Sequence, residues 1–394
     1  MRNCHVWEGR MKNKIFIFVF ISIVLMFFPL NAQTWNAAKR LTWSSGGSQN
    51  PAIATESGNN IHLVWYDGTP GNNEIYYRKS TNGGGSWGGA RRLTWTSDGS
   101  YHPAVVTDSS SNIHVVWFDY TPGNCEIFYK RSTDGGVNWS GTRRLSLTSG
   151  DTHNPAIATD SSGNIHVTWH DYTPGNSEIY YRRSTDGGVS WSGTRRLSWT
   201  SEGSYDSSIA IDSGDNIHVV WDDYIPGNGE IYYRRSMDGG VSWSGTRRLT
   251  WTSGGSYYAS IAINSGNNIH LVWYDGTPGN NEIYFKRSTD GGLSWSEARR
   301  LTWTSGSSYD PGIAADSGNN IHVVWYDKIS GNWEIYYRRS TDGGVNWSGT
   351  KRLTWNSGGS HYPFAATDAS NNIHVFWHDN TPGNFEIYYK KGIQ

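Results

Sequence analysis

The sequence contains very little cysteine. Its 394 residues include only two, Cys4 and Cys125. Cys4 falls within residues 1–32, which we expect to be removed, so residues 33–394 have to fold without a disulfide. Their stability must therefore come from core packing. Cys125 occupies a position where equivalent segments of the chain carry Asn, Ser, Gly, Trp or Phe, which favours an incidental free thiol.

The sequence also lacks an excess of charge of either sign. Lys and Arg total 33, and Asp and Glu total 34. Residues 1–32 contain four of the basic residues and one of the acids, so their removal leaves a small negative net charge. This balance gives no reason to expect binding to nucleic acid or to an anionic membrane surface.

Helical periodicity is absent as well. Short runs of β-branched and aromatic residues alternate with clusters of Gly, Asn, Asp and Pro, a pattern typical of strands and turns. The pattern repeats every 52 residues without insertion or deletion, in seven units that begin at Leu41, Leu93, Leu145, Leu197, Leu249, Leu301 and Leu353. Four strands fit each unit. In the fifth unit they are predicted at Tyr258–Asn264, Ile269–Asp275, Glu282–Ser288 and Trp295–Thr302.

Four-stranded repeats of about 40–50 residues are typical of β-propellers. We therefore predict an all-β fold, a seven-bladed β-propeller of four-stranded antiparallel blades that forms a single domain over residues 33–394. Trp35–Thr42 matches an outer fourth strand that has no blade before it, while the last unit stops after its third strand. The N-terminal strand is thus predicted to complete the last blade and close the ring, which leaves no unpaired edge there.

The long hydrophobic run of the chain lies at its N-terminus. A basic segment that begins at Met11 is followed by the apolar stretch Ile15–Leu30. This arrangement predicts a secretory signal peptide over residues 1–32, cleaved before Gln33. Met11 by itself begins a complete signal, so it is an alternative translation start. We expect a secreted protein, extracellular or periplasmic, that does not stay inserted in a membrane.

One motif organises six of the seven repeats: Ser132–Trp139, with the sequence STDGGVNW. Copies recur at 52-residue intervals, and a weaker copy over Ser80–Trp87 has Asn82 in place of the aspartate. Adjacent glycines suit a tight hairpin turn because they adopt positive φ, and the Asp and Ser side chains can accept hydrogen bonds from the amides of the turn. The Trp is expected to fold back as an apolar plug. The structural residues predicted on this basis are Asp134, Asp186, Asp238, Asp290, Asp342, Trp87, Trp139, Trp191, Trp243, Trp295 and Trp347.

These residues match the Asp-box pattern S-x-D-x-G-x-x-W, so the chain from Trp35 onward resembles the sialidase-like (Asp-box or BNR repeat) β-propellers. That family includes exo-sialidases and many non-catalytic propellers. The resemblance implies that a sialidase would need three inward arginines, a Tyr–Glu pair, an Asp acid/base and an Arg-Ile-Pro motif. No Arg-Ile-Pro occurs here, and the arginines after residue 32 all fall in the predicted third and fourth strands. Sialidase activity is therefore not expected.

Three other sets of repeated residues are assigned structural roles. Basic pairs such as Arg195-Arg196 are expected to protect an exposed edge strand. The histidines that begin the second strands, such as His166, lie one blade apart, which is too far for one shared metal ion. The acids that flank the Thr-Pro-Gly-Asn turn, such as Asp171 and Glu178, are expected to cap its amides. No metal and no cofactor is predicted.

The repeats differ from one another mainly on one face of the propeller, around the central channel. The variable positions hold aromatic, His, Asn and Asp residues, which suit sugars because rings stack on apolar sugar faces and short polar groups bind hydroxyls. The alternative is that these loop residues vary simply because loops are less constrained than the strands they connect. The candidate ligand-binding residues are Trp333, Phe385, Tyr362, Tyr120, Tyr172, Tyr224, His102, His170, His378 and Tyr258.

Trp333 stands out among these candidates. The other tryptophans after residue 32 occupy three repeated positions, and Trp333 occupies none of them. We predict that it is a stacking platform for a sugar ring, assisted by Phe385 and Tyr362.

Nearly identical blades suit multivalent binding, whereas catalysis requires one asymmetric constellation. The leading hypothesis is a secreted, lectin-like, non-catalytic carbohydrate-binding protein, a monomer with a glycan or polysaccharide as partner. A sialidase-like glycoside hydrolase is the first alternative. No catalytic residue is assigned, but pairing of strands one and two in the fourth blade would bring Asp206 and Asp222 together as two carboxylates. A protein-interaction scaffold is the second alternative.

Overall fold

The computed structural model describes residues 33–121, 123–173, 175–225, 227–329 and 331–394. The predicted signal peptide, the Met11 start and Cys4 lie outside these ranges. The described residues form 29 β-strands and no α-helix. Accordingly, this part of the chain contains no apolar helix long enough to span a membrane.

The strands are numbered in chain order. Two short strands, β1 (Thr34–Trp35) and β2 (Lys39–Arg40), come first. Blades one to three contain β3 (Ser48–Glu56), β4 (Asn60–Asp67), β5 (Glu74–Ser80), β6 (Arg91–Arg92), β7 (Ser100–Thr107), β8 (Ile113–Asp119), β9 (Glu126–Ser132), β10 (Arg143–Arg144), β11 (Thr152–Thr159), β12 (Ile165–Asp171), β13 (Glu178–Ser184) and β14 (Arg195–Arg196). Blades four to six contain β15 (Ser204–Ile211), β16 (Ile217–Asp223), β17 (Glu230–Ser236), β18 (Arg247–Arg248), β19 (Ser256–Ile263), β20 (Ile269–Asp275), β21 (Glu282–Ser288), β22 (Arg299–Arg300), β23 (Ser308–Ala315), β24 (Ile321–Asp327), β25 (Glu334–Ser340) and β26 (Lys351–Arg352). Blade seven contains β27 (Ser360–Thr367), β28 (Ile373–Asp379) and β29 (Glu386–Ile393).

Each blade is an antiparallel sheet whose strands follow chain order from the channel outward, as in β3-β4-β5-β6. The last sheet is completed by the N-terminal segment, because β1 and β2 both pair with β29. Trp35 lies opposite Gly392, and Lys39 lies opposite Tyr389. The prediction of an all-β, seven-bladed propeller closed by its N-terminal strand is confirmed.

The outer strand of each blade is shorter than predicted. In the fifth blade the prediction covered Trp295–Thr302, but only Arg299–Arg300 pairs with β21. The Ser296 N–H still donates to the carbonyl of Arg287 at 2.9 Å. Between these two points the outer strand has one residue more than β21. The extra residue forms a β-bulge, and the ladder is interrupted.

The hydrophobic core lies between neighbouring blades. Trp117 on β8 is buried in one cluster with Val64 and Tyr77 of the preceding blade. Burial of a large apolar side chain contributes about 1.5–3 kcal/mol, so each blade depends on its neighbours. The equivalent buried tryptophans are Trp65, Trp117, Trp169, Trp221, Trp273, Trp325 and Trp377.

The Asp-box turns also join neighbouring blades. In the second blade the Asn138 N–H donates to Asp134 Oδ1 at 2.8 Å, and Gly136 has a φ of 91°, which glycine adopts without steric cost. Trp139 meets the ring of Tyr77 in the preceding blade edge-on, with ring centroids 5.1 Å apart. The motif therefore closes its own turn and packs against the adjacent blade.

The repeated basic pairs bind within the fold, which corrects the expectation that they only protect an edge. In the third blade Arg196 forms an ion pair with the buried Glu178 at 2.6 Å. Arg195 donates to the carbonyl of Val241, in the Asp-box of the next blade. The first pair member therefore links two blades, and the second anchors the outer strand to its own blade.

The acids that flank the Thr-Pro-Gly-Asn turn have two different roles. Asp171 Oδ1 accepts the N–H of Thr173 at 2.7 Å, so the aspartate caps the turn as predicted. Glu178 instead accepts the N–H of Thr200 at 2.8 Å, in the segment that leads to the next blade. From the turn itself Glu178 accepts the side-chain amide of Asn176, at 3.3 Å. Its shorter contacts, to Arg196 and Thr200, lie in the outer strand and the inter-blade segment, so capping of the turn is only part of its role.

Candidate functional site

Seven inner strands, one from each blade, surround a central channel. At the end where these strands begin, which we call the channel mouth, they enclose a cavity of about 430 Å³. One position of the repeat lines this cavity in every blade, and we call these seven residues the channel ring. They are Asn50, His102, Asn154, Asp206, Tyr258, Asp310 and Tyr362.

Every member of the channel ring has a positive φ, between 43° and 54°. Residues other than glycine rarely adopt this conformation. The cause is a β-bulge: His153 pairs with His170, but the next pair is Ala156 with Thr168, so the inner strand has one extra residue. Asn154 lies inside this bulge. Strained backbone of this kind is concentrated at functional sites, which draws attention to the ring.

A series of ring contacts, which we call the aromatic belt, runs round the channel mouth through all seven blades. Gln49 interrupts it between the last blade and the first, where the Tyr66 hydroxyl donates to Gln49 Oε1 at 3.3 Å. Each aromatic pair is worth about 0.5–1.5 kcal/mol beyond its buried area, so the belt makes the mouth rigid. Its members are Tyr66, Tyr101, Phe118, His153, His170, Tyr205, Tyr224, Tyr257, Tyr274, Tyr309, Tyr326, His361 and His378.

Three carboxylates give one side of the mouth an acidic character. Asp206 Oδ1 accepts a hydrogen bond from the side-chain amide of Asn154 at 2.6 Å. Asp222 Oδ1 accepts one from the backbone N–H of Tyr258 at 3.4 Å. Burial raises the pKa of both carboxyl groups, and the charge of Asp206 raises that of Asp222 further. Burial also raises the pKa of Asp310 to about 7. These groups therefore hold protons at pH values where ordinary aspartates are ionised.

Asp206 and Asp222 share a pocket with a group of tyrosines. The pocket has a volume of about 500 Å³, and we call it the Asp206–Asp222 pocket. Among the described residues, no lysine or arginine lines it. Carboxyl groups and phenol hydroxyls can bind hydroxyl or ammonium groups here, while ring faces supply apolar contact. The tyrosines that line it are Tyr205, Tyr224, Tyr257, Tyr258 and Tyr274.

Histidines occupy the other side of the mouth. Burial lowers the pKa of His102 to about 4 and those of His170 and His378 to about 3. The three rings are therefore neutral at neutral pH. His378 Nδ1 accepts the N–H of Asn50 at 3.2 Å. The mouth thus combines neutral histidines with carboxyl groups whose pKa values are raised.

The structure brings most of the predicted ligand-binding residues to this mouth. Tyr120, Tyr172, Tyr224, Tyr258 and Tyr362 are each about two-fifths exposed, so their rings can contact a ligand. His170 and His378 are buried within the belt. They can support a site but offer little contact surface of their own.

Trp333 is half-buried, and it packs into the belt more closely than its irregular position in the repeat suggested. Its ring contacts Tyr309, Tyr326 and His361 with centroid separations of 5.2–5.8 Å. Lys328 Nζ lies 5.6 Å from its centroid. Phe385, at the same position in the next blade, also contacts His361. The two candidates therefore flank one histidine.

Sequence analysis did not select Glu202, Tyr205, Tyr257 and Tyr274, which line the pocket, or, in the channel ring, Asp310. A signal was present for the last, since Asp310 occupies the same repeat position as Asp206 two blades earlier. The three tyrosines occupy positions that differ among the seven repeats. Which of them face Asp206 depends on the curvature of the ring, which only the structure shows.

The ring of seven sheets and its Asp-box turns define the class of protein as a sialidase-like β-propeller. Residues 71–273, just over half of the chain, match the BNR repeat-like domain family, and residues 204–362 match a BNR repeat-containing family. The chain belongs to the BNR repeat-like domain family. No curated protein sequence matches it.

Solved structures share the fold at low sequence identity. A protein of unknown function from Dyadobacter fermentans is 14% identical over 90% of this chain and 99% of its own, with a TM-score of 0.57. An ulvan lyase of polysaccharide lyase family PL25, bound to -[GlcA(1-4)Rha3S]-, is 14% identical over 89% and 95%, with a TM-score of 0.61. The Hadza microbial sialidase Hz136 is 15% identical over 81% and 73%, with a TM-score of 0.53. These likenesses show the fold alone.

Proposed function

We propose that this protein is a non-catalytic, lectin-like carbohydrate-binding protein whose site is the channel mouth at the Asp206–Asp222 pocket. The observation that carries the proposal is the placement of two carboxyl groups, Asp206 and Asp222, among five tyrosines in one pocket. Burial raises the pKa of both carboxyl groups. Sugar hydroxyls need such hydrogen-bonding groups, and the apolar face of a sugar ring suits an aromatic surface. The structural neighbours that are sialidases or a polysaccharide lyase support a carbohydrate ligand.

The charge of the pocket favours a neutral or amine-bearing sugar over an acidic one. An incoming carboxylate would meet Asp206, Asp222 and Asp310, which already disfavour one another's ionisation. An ammonium group would instead face carboxyl groups and tyrosine rings, a combination that binds cations. We further propose that the protein is secreted, on the basis of the apolar stretch that ends at Leu30, and that it acts as a monomer.

A glycan array with residues 33–394 tests this proposal. We expect binding to a neutral or amine-bearing glycan, and we expect Asp222→Asn and Tyr258→Ala to weaken it. Asp215→Asn is the matched control, because Asp215 lies on a loop of the opposite face and bonds to Ser161 there. An array with no bound glycan, or binding that persists in both pocket variants, contradicts the proposal.

A glycoside hydrolase is the second candidate, and one observation favours it. Burial raises the pKa of Asp206 and Asp222, and a general acid in a glycosidase needs a raised pKa. Chromogenic glycosides of the sugars found on the array distinguish the two functions. Turnover that Asp222→Asn abolishes while binding persists supports the hydrolase, and binding without turnover supports the lectin.

A further inference from the structure

Six tryptophans at one position of the repeat lie exposed on the surface. They are Trp43, Trp95, Trp199, Trp251, Trp303 and Trp355, and each is 62–69% exposed. The second blade ends in Leu147 at this position instead. A large exposed indole is unfavourable in water, and here the exposure is repeated six times. The repeat therefore presents an apolar ring surface to solvent in six blades.

The exposed indoles are held in place by the backbone on both sides. In the first blade, Thr94 precedes the indole of Trp95, and its hydroxyl accepts the N–H of Ile75 at 2.8 Å. The residue that follows, Thr96, donates its N–H to the buried Glu74 at 2.8 Å. Trp95 is thus presented to solvent from an anchored segment. A ligand that binds it does not have to order a loop first.

Each exposed indole is accompanied by cations. Arg196 lies 5.8 Å and Arg234, from the next blade, 5.4 Å from the ring centroid of Trp199. The carboxylate that pairs with Arg196 belongs to Glu178, whose side chain is fully buried, whereas that of Arg196 is 26% exposed. The charge that solvent meets beside the indole is therefore positive. The same arrangement of an indole with one or two cations recurs at the other five tryptophans.

The six exposed tryptophans and their cations lie on the same face as the channel mouth, but apart from its cavities. The segment that contains Trp43 connects the outer strand β2 to the start of the inner strand β3, which is the mouth end. None of the six tryptophans lines either cavity formed by the described residues. They form an outer circle of separate sites around the central one, one in each of six blades.

We propose that this circle, which we call the tryptophan rim, is a second binding surface for a polysaccharide that carries carboxylate or sulfate groups. A sugar ring stacks on the indole, and its anionic group pairs with the neighbouring guanidinium or ammonium. A polymer can engage several blades at once, so weak single sites add up to strong retention. In the chain, each indole is followed by Ser, Thr, Asn and Gly residues, together with the exposed acids Asp98 and Glu202 in two blades. A membrane would require a contiguous apolar patch, and the rim does not provide one.

Affinity electrophoresis of residues 33–394 tests the proposal, in gels that contain heparin, polygalacturonate or neutral dextran. We expect one or both anionic polymers to retard the protein and dextran to leave it unretarded, with less retardation at higher salt. The triple variant Trp199→Ala, Trp251→Ala, Trp303→Ala should lose retention by roughly tenfold or more. Leu147→Trp, which fills the vacant position of the rim, should increase it.

Two controls separate the rim from other effects. Val241→Ala alters an exposed apolar residue in an Asp-box and should change nothing. Asp222→Asn should leave retention intact, so a failed central site and a failed rim give different results. Retention that survives the triple variant, equal retention by dextran, or preferential binding to vesicles of phosphatidylcholine and phosphatidylserine would each overturn the proposal. Thermal melting of every variant shows that it is folded.

Discussion

His270 stacks on Phe285 with their ring centroids 5.9 Å apart, and neither ring nitrogen of His270 has a hydrogen-bond partner among the described residues. In the other six blades a tyrosine replaces Phe285, and its hydroxyl lies 2.7–2.8 Å from the equivalent Nδ1. The fifth blade also has Asn264 where those blades have an acid. Burial lowers the pKa of His270 to about 4, so the ring stays neutral.

We expect Phe285→Tyr to stabilise the protein. The new hydroxyl would satisfy His270 and raise the free energy of unfolding by about 1 kcal/mol, the usual net value of a hydrogen bond. Urea denaturation measures this change. The reverse substitution in the fourth blade, Tyr233→Phe, is the matched control and should destabilise by a similar amount. If both substitutions have no effect, the histidine–tyrosine contact contributes nothing to stability.

Ring closure should depend on the N-terminal strands. Trp35 packs edge-on against Tyr337 at 4.9 Å, and the Leu41 N–H donates to the carbonyl of Ile387 at 2.7 Å. Deletion of residues 33–42 removes these contacts and leaves β29 with an open edge, so we expect a lower melting temperature or aggregation. Asn36→Ala keeps both strands and serves as the control. A truncated protein that melts like the full chain would contradict this role.

Trp333→Ala should weaken glycan binding by about 1 kcal/mol or more, the scale of one aromatic contact. Because the indole also contacts three rings of the belt, we expect a small loss of stability as well. Trp333→Phe is the matched control, since Phe385 fills the same position in the last blade. This variant should retain most of the glycan binding and most of the stability. Titration calorimetry and thermal melting separate the two effects. A large loss of stability with normal binding would identify Trp333 as packing only.

Asp310 should make stability depend on pH. Its pKa is about 7 in the folded protein, against an ordinary value of 3.8, because the carboxyl group is buried close to the charge of Asp206. The folded state therefore holds this proton more tightly than the unfolded chain. The stabilisation is complete below about pH 4 and is lost as the pH rises through about 7.

Asp310→Asn removes this dependence. Asparagine suits the backbone there, since Asn50 and Asn154 occupy the equivalent position with positive φ. We expect the stability of the variant relative to the natural chain to increase between pH 4 and pH 8, by the order of 1 kcal/mol or more. Urea titrations at several pH values measure it, with Asp215→Asn as the control. A difference that does not vary with pH would show that Asp310 has an ordinary pKa.

The fold could be predicted well from the sequence because the same pattern of strands and turns recurs in seven units. The spacing of Leu41 and its equivalents gave the number of blades, and Trp35 gave the closure. The outer strands were predicted too long, since a bulge between Ser296 and Arg299 leaves no trace in residue type. Two partners of Glu178 were also not predicted, because Arg196 and Thr200 lie in the outer strand and the inter-blade segment, far from Glu178 in the chain.

The site was only partly predictable for a related reason. Comparison of the blades identified Tyr258 and Asp206, but the proximity of Asp310 to Asp206 depends on the width of the channel. The exposure of Trp43 was hidden by its regularity, since a tryptophan present in six blades resembles a core residue such as Trp65. The segment around Trp43 is not a strand, so alternation of buried and exposed positions gave no help.

The bulge that holds Asn154 at positive φ is fixed by backbone pairing on either side, not by the side chain it presents. Asparagine, histidine, aspartate and tyrosine all occupy that conformation in this one chain. The seven positions of the channel ring therefore accept different side chains. The chemistry that faces the channel can be altered one residue at a time while the backbone stays the same. A small library of variants confined to the channel ring should therefore yield new sugar specificities without redesign of any blade.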